Sequence, residues 1–155
     1  MKKLIFFAAA ALILSTSPTS TPLHSLREQG QKEIDALFGC KEPCIISYND
    51  GGRVDRFLLA AIGVKYETRN LIVIDGPCYS ACTVFADKAR PKVCITKRAS
   101  FYFHKAYVWK IKRVKGLIQN VRAGFEDPPH STDIDNWVKE EGGGYSIDGF
   151  TIMPL

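Results

Sequence analysis

The sequence predicts a single α/β domain, and two observations lead to that prediction. Apolar, β-branched runs typical of buried strands alternate along the chain with stretches that repeat at helical spacing. The chain has 155 residues, of which 46% are hydrophobic and 24% are charged, so it can bury one core and has the composition of a globular protein. We expect the domain at residues 40–155, after a targeting segment at 1–20 and an N-terminal helix at 21–39.

The central stretch of the domain contains a serine at a strand-to-helix turn. The expected elements are, in order, a strand at Leu71–Ile74, a helix at Ala81–Ala89, and strands at Lys92–Thr96 and Phe101–Ala106. Ser80 directly precedes the helix, where free backbone N–H groups can stabilise an anion. His104 lies on the last of these strands, so the stretch has the minimum components for nucleophilic acyl chemistry. Taken alone, Ser80 also suits a helix N-cap.

A pair of glycines precedes this stretch. Cys44–Asp50 is typical of a short strand, which continues directly into Gly51 and Gly52. Val54–Val64 then has apolar residues on one stripe, which predicts a helix.

The order strand, Gly-Gly, helix, strand, serine-led helix, strand and histidine-bearing strand resembles the ClpP/crotonase superfamily, in particular ClpP-like serine peptidases and their exported bacterial relatives. The resemblance covers about Cys44–Ala106. It implies a β-β-α spiral, which would be abbreviated at the C-terminus of this chain. It further implies that Ser80 is the nucleophile and that His104 is its general base.

The resemblance also implies an oxyanion hole built from backbone N–H groups, and no cofactor or metal. Its donors would be Ala81 and Gly51 or Gly52, since glycine lets the backbone approach a substrate closely. Asp148 is the candidate third catalytic residue by its position, whereas Asp133 and Asp135 are explained by the first turn of a helix. A Ser-His dyad is one alternative, and a catalytically lapsed module that acts in binding or as a structural protein is another.

The N-terminus has the form of a secretory signal. Met1, Lys2 and Lys3 precede an apolar run, Leu4–Leu14, which is too short to span a bilayer as a helix. An uncleaved anchor is the alternative, because Ser15–Thr21 has no clean cleavage motif. The sequence therefore predicts export to the periplasm or the medium, where no ATPase partner is expected. The resemblance then implies peptide or unfolded protein as substrate and self-association of the kind the family shows.

The five cysteines suit an oxidising compartment. A Cys78–Cys94 bridge would fasten the serine turn to the sheet, and Cys40 with Cys44 could close a small loop, which would leave Cys82 as a buried thiol. The sequence leaves this connectivity open. Two Cys-x3-Cys pairs also allow a zinc reading, but no histidines accompany them, and no metal is expected.

The C-terminal third carries the densest basic run, Lys105–Lys115, in which cations alternate with aromatic and apolar residues. Its pattern favours a strand with a solvated cationic face over a nucleic-acid patch, so no nucleic acid is expected as a partner. A short helix is expected at Gly116–Ala123 and another from Thr132 to Glu141, opened by a capping box. Tyr145–Leu155 would form a final strand or a tail.

Overall fold

The computed structural model describes residues 22–40, 43–66 and 71–153, and in them the chain is a small mixed α/β domain with four helices and small sheets. The predicted targeting segment at 1–20 lies outside the described residues. The helices are α1 (Pro22–Phe38), α2 (Val54–Tyr66), α3 (Ala81–Lys88) and α4 (Thr132–Glu140). The strands are β1 (Cys44–Ile46), β2 (Ile72–Ile74), β3 (Pro77–Tyr79), β4 (Val93–Ile95), β5 (Ser100–Phe103), β6 (Ala106–Val114), β7 (Leu117–Glu126) and β8 (Thr151–Met153).

Two three-stranded sheets share one core. The first has the order β1-β2-β4 and is parallel, and the second has the order β3-β5-β8, in which β3 and β5 are parallel and β8 is antiparallel. Asn49 connects the two sheets. It lies on the segment that follows β1, and it forms a parallel bridge with Cys78 of β3. The parallel pairs are short and apolar, as expected for strands covered by helices.

The helices cover the sheets with small and aromatic residues. Phe57 of α2 and Phe85 of α3 are fully buried, and Phe38 at the end of α1 packs against both rings. Gly30 allows α1 to lie directly on α2, since a Cβ at this position would come within 2.5 Å of the Gly63 nitrogen. Gly30 is therefore a point of backbone contact between the two helices.

The predicted helix at Gly116–Ala123 is wrong, because these residues belong to β7. Lys115 and Gly116 both have positive φ, 49° and 81°, and form a two-residue turn between Val114 and Leu117. Such turns match the twist of a hairpin. The strands β6 and β7 pair only with each other and form a long hairpin outside both sheets.

The other predicted elements around the serine agree with the structure: α2, α3 and β4 occupy the expected positions. The single strand expected at Phe101–Ala106 is instead divided, since β5 ends at Phe103 and the hairpin begins at Ala106. Among the described residues, no helix combines the length and apolar character needed to cross a bilayer.

Candidate functional site

Ser80 occupies a strained turn between β3 and α3. Its backbone has φ 53° and ψ −122°, a conformation that L-residues rarely adopt, and its side chain makes no capping hydrogen bond to the helix. The N-cap alternative therefore does not account for the hydroxyl. Its backbone is held on both sides: the Ser80 N–H donates to Tyr102 O at 2.9 Å, and the Thr83 N–H donates to Ser80 O at 2.9 Å. A serine on a strained strand-to-helix turn presents its hydroxyl in the manner of a nucleophile elbow.

A disulfide brackets this turn. Cys78 and Cys82, each two residues from Ser80, are bonded with their Cα atoms 5.4 Å apart, and both are completely buried. The predicted Cys78–Cys94 bridge is therefore wrong, and so is the assignment of Cys82 as a free thiol. Cys94 is exposed and unpaired on β4, which belongs to the other sheet, whereas Cys82 lies on the first turn of α3, within reach of the end of β3.

The second disulfide joins Cys40 to Cys44, which is one of the pairings that the sequence allowed. Their Cα atoms are 4.9 Å apart, and the bond connects the end of α1 to the start of β1. Both pairs are compatible with an exported protein.

Gly51 packs directly against the serine turn. A Cβ at this position would lie 2.6 Å from Tyr79 O and 2.7 Å from Ser80 Cβ, so no other residue fits here. The Gly51 N–H is already used, because it donates to Asn49 Oδ1 at 2.9 Å. Of the two glycines, Gly52 is therefore the better candidate for an oxyanion donor, and Gly51 supplies the space.

Asn49 holds this glycine loop in place. Its side chain is buried, accepts from Gly51 N–H and donates to Leu37 O at 3.4 Å. Its backbone exchanges hydrogen bonds with β3 on the side opposite to β5: Asn49 N–H donates to Pro77 O, and Tyr79 N–H donates to Asn49 O, both at 2.9 Å. Asn49 thus ties the glycines to the serine turn, a role that the sequence did not reveal.

His104 lies at the same end of the sheet as Ser80. Tyr79 is in register with Tyr102 on the parallel strands β3 and β5, so Ser80 and His104 both follow the carboxyl ends of neighbouring strands. Neighbouring strands lie about 4.8 Å apart. His104 is half-buried and bridges Ser146, and its ring meets Phe150 edge to face at 5.2 Å. Among the described residues no hydrogen bond joins its ring to the Ser80 hydroxyl.

Asp148 is close to His104 along the fold, since it follows Ser146, the residue that bridges His104. It is exposed, however, and it makes no hydrogen bond to His104 in the part of the chain that the structure describes. The three residues of the expected triad are thus neighbours in the topology without a hydrogen-bonded chain between them.

Aromatic rings cover the surface beside the serine turn, and we call these four residues the aromatic cluster: Tyr48, Tyr79, Tyr102 and Phe150. Tyr79 and Tyr102 stack at 4.1 Å, and Phe150 meets Tyr79 at 5.2 Å and also contacts His104. Tyr48 lies 5.8 Å from Tyr79 and is largely exposed. Burial, together with the neighbouring Tyr102, raises the pKa of Tyr79, so its hydroxyl is uncharged at neutral pH.

A second histidine, His130, which the sequence did not single out, contacts the serine turn through Thr83. His130 Nε2 lies 2.9 Å from Thr83 Oγ1, and His130 Nδ1 lies 2.9 Å from the Tyr145 hydroxyl. Thr83 Oγ1 in turn donates to Ser80 O at 2.6 Å. The Thr83 hydroxyl donates its one proton to Ser80 O, so it must accept a hydrogen bond from His130. We therefore assign the Nε2–H tautomer, in which Nε2 donates to Thr83 and Nδ1 accepts from Tyr145.

Burial lowers the pKa of His130 to about 4, although the carboxylates of Asp87 and Asp135 act in the opposite direction. The ring is therefore neutral at pH 7, which agrees with the assigned tautomer. Its sequence context, a loop with two prolines, gives no sign of this burial.

His130 lies on a loop that an ionic network attaches to helix α3. Asp87 accepts hydrogen bonds from Ser131 N–H and Ser131 Oγ, both at 2.6 Å, and also pairs with Arg90. Burial opposes ionisation of Asp87, but the bonds from Ser131 and Arg90 outweigh it and hold the pKa of this carboxyl below its ordinary value. Arg90 also reaches Asp133 at 3.0 Å and holds the pKa of Asp133 far below its usual range.

Beside this network lies a cavity of about 160 Å³. It is bordered by α3, α4 and the strands β4, β5 and β8, and it is lined mainly by apolar side chains, among them Phe103, Met153 and Ile134. Among the described residues, no group of three or more His, Cys, Asp or Glu side chains is placed to hold a metal ion.

No family model, curated protein or solved structure matches this chain.

Proposed function

We propose that the chain is a serine hydrolase of peptidase type, built on a ClpP/crotonase-like spiral. The observation that carries the proposal is the Ser80 backbone, which is held at φ 53° although the hydroxyl satisfies no structural need there. Strain of this kind costs about 1–3 kcal/mol and is retained at functional sites. Ser80 attacks the carbonyl carbon of a peptide bond, the C–N bond breaks and the amine leaves with the proton taken from the serine, and water then hydrolyses the acyl-serine ester and restores the hydroxyl.

Backbone N–H groups bind the oxyanion that this attack produces. Ala81 is the first residue of α3, and Gly52 has no hydrogen-bond partner for its N–H among the described residues, so both donors are available. Asn49 and Gly51 position the loop that carries Gly52. Loss of one such donor costs about 100- to 1000-fold in rate.

His104 accepts the Ser80 proton as general base. The position of His104 supports this role, because His104 follows the carboxyl end of β5 and Ser80 follows the carboxyl end of the neighbouring strand β3. The imidazole contacts the exposed Phe150 ring, and catalytic hydrogen bonds that are absent in the free enzyme often form only in the complex with substrate. Asp148 is the proposed third residue.

The aromatic cluster suggests the substrate class. Peptide or unfolded protein presents apolar side chains, which Tyr48 and Phe150 can contact while their rings remain partly exposed. Stacked tyrosines give such a surface large contact area at low cost in conformational entropy.

A binding module without turnover is the second candidate. It is favoured by the lack of a hydrogen bond between Ser80 and His104 in the described residues, and by the same aromatic cluster, which can bind peptide without cleaving it. In this case the strained turn would be an inherited feature of the fold.

A fluorophosphonate probe distinguishes the two candidates. For a hydrolase we expect covalent labelling of the full chain, loss of labelling in Ser80→Ala, and labelling slowed by about 100- to 10,000-fold in His104→Ala. Ser47→Ala and His24→Ala are matched controls, because both positions are exposed and outside the site, and both should label like the unmodified chain. Folded protein that does not label, but binds peptide through Tyr48 and Phe150, would support the binding module instead.

A further inference from the structure

The hairpin of β6 and β7 presents an unusual surface. Register places one set of side chains on the same face, which we call the hairpin face: Tyr107, Trp109, Ile111, Ile118 and Phe125, with Arg113 and Arg122 among them. Near the turn, Ile111 is 74% exposed, Ile118 72% and Leu117 66%, the three most exposed large apolar side chains of the described residues. Neither strand pairs with the sheets of the domain, so this apolar end projects into solvent.

The hairpin also carries most of the excess positive charge of the chain. Residues 106–126 contain five lysines and arginines and one glutamate, a net charge of +4 out of +5 for the whole protein. Lys110 and Lys112 lie on the face opposite the aromatic rings. No lysine or arginine of the hairpin forms an ion pair with a described residue, whereas Lys105, just before it, pairs with Asp127.

The aromatic side chains lie further from the turn than the aliphatic ones. Tyr107 contacts Phe125 at 4.9 Å near the base, and Trp109 follows. Arg122 lies over the Tyr107 ring at 3.7 Å, in a cation–π contact. The cations are therefore interleaved with the apolar side chains: Arg113 lies opposite Ile118, Lys115 is in the turn, and Lys110 and Lys112 line the reverse side.

We propose that this hairpin binds the surface of an anionic lipid bilayer. The apolar and aromatic side chains of the hairpin face lie in the interface with Trp109 and Tyr107 at the headgroup level, and the interleaved lysines and arginines contact anionic headgroups. Charge complementarity argues against a second copy as the occupant, because two hairpins of charge +4 repel each other. Nucleic acid would use the cations and rings, but it would leave Ile111, Leu117 and Ile118 in water.

The proposal does not depend on hydrolase activity. It adds a place of action: a bilayer with an anionic surface, at which the protein would meet its substrates.

Vesicle binding by the full chain tests it, with Trp109 as reporter. The chain has two tryptophans, so Trp137→Phe leaves Trp109 alone to report insertion. In this background we expect a blue shift of the emission with vesicles of phosphatidylglycerol and phosphatidylcholine, and little shift with phosphatidylcholine alone. Added salt should weaken binding, since the headgroup attraction is screened.

Paired variants locate the binding in the hairpin. Lys110→Gln with Lys112→Gln should lower the partition coefficient by about 30-fold. Ile111→Ser with Ile118→Ser should abolish the blue shift. The matched controls, Lys32→Gln with Lys97→Gln and Ile45→Ser with Ile152→Ser, change exposed side chains elsewhere and should bind like the parent, with circular dichroism confirming the fold of each variant.

Several outcomes overturn the proposal. One is no binding to anionic vesicles. Another is binding that the hairpin variants do not reduce, because the apolar segment at residues 4–14 would then be responsible. Oligonucleotide binding without vesicle binding, or dimerisation through Ile111 and Ile118 without vesicle binding, would assign the hairpin to a different partner.

Discussion

The serine turn and the hairpin turn contain the two non-glycine residues with positive φ among the described residues: Ser80 at 53° and Lys115 at 49°. At Lys115 the two-residue connection of the hairpin requires this conformation, and the residue is exposed. At Ser80 the conformation is enforced by a disulfide, a glycine contact and backbone hydrogen bonds. The local turn therefore accounts for the positive φ at Lys115 but not for that at Ser80, which is why the proposed function is argued from Ser80 and not from Lys115.

The largest expected difference concerns two glycines with the same φ, 81°. A methyl group at Gly51 would overlap Tyr79 O and Ser80 Cβ, whereas one at Gly116 meets nothing within 4 Å. Gly51→Ala should therefore lower the free energy of unfolding by about 3 kcal/mol or more. Gly116→Ala should lower it by about 1 kcal/mol, the backbone cost alone. Urea denaturation compares the two, and equal losses would mean that the Gly51 contact is not tight.

The next-largest expected effect is a loss of folding stability at low pH, which arises from His130 beside the serine turn. The pKa of His130 is about 4 in the folded chain and about 6.5 when unfolded. Between these values the unfolded chain binds more protons, so stability falls as the pH drops from about 6.5 to about 4, by about 3 kcal/mol in all. Urea denaturation at pH 7.5 and pH 5 measures part of this loss.

His130→Gln should remove most of the loss between these two pH values, because the titrating group is gone. The matched control His24→Gln changes an exposed histidine and should retain the full drop. An unchanged pH dependence in His130→Gln would show that another group is responsible.

The two disulfides close loops of the same length, with a sequence separation of 4 in each. In the chain-entropy model each contributes about 2 kcal/mol. The Cys78–Cys82 bond is buried and also holds the serine turn, so its replacement by two alanines should lower stability and slow fluorophosphonate labelling together. Replacement of Cys40 and Cys44 should lower stability by a similar amount, about 2 kcal/mol, and leave labelling unchanged.

Local patterns in the sequence account for the predictions that agree with the structure. The β-branched run before Gly76, the apolar stripe of α2 and the small residues of α3 each determine one element from nearby residues. The helix expected at Gly116–Ala123 is the exception, because the positive φ of Gly116 serves a hairpin turn and the following residues form β7.

The supporting residues of the site could not be found in this way. The disulfide partner of Cys78 depends on the direction in which α3 leaves the turn. The burial of His130 depends on Tyr145 and Thr83, which lie on other elements. The role of Asn49 depends on a bridge to a strand that follows much later in the chain. The contacts of His130 and Asn49 are long-range, and no local pattern records them.

The smallest expected effect is the sharpest test of the strain at Ser80. Glycine adopts positive φ without steric cost, so Ser80→Gly should raise the free energy of unfolding by about 1 kcal/mol while it abolishes fluorophosphonate labelling. Lys115→Gly changes a position where the hairpin turn itself favours positive φ, and it should raise stability by about 0.5 kcal/mol or less, with labelling intact. A gain in stability on loss of the hydroxyl means that the fold tolerates Ser80 for the sake of its chemistry. A loss of stability in Ser80→Gly would instead make the serine a structural residue, and the strained turn would then carry no argument for catalysis.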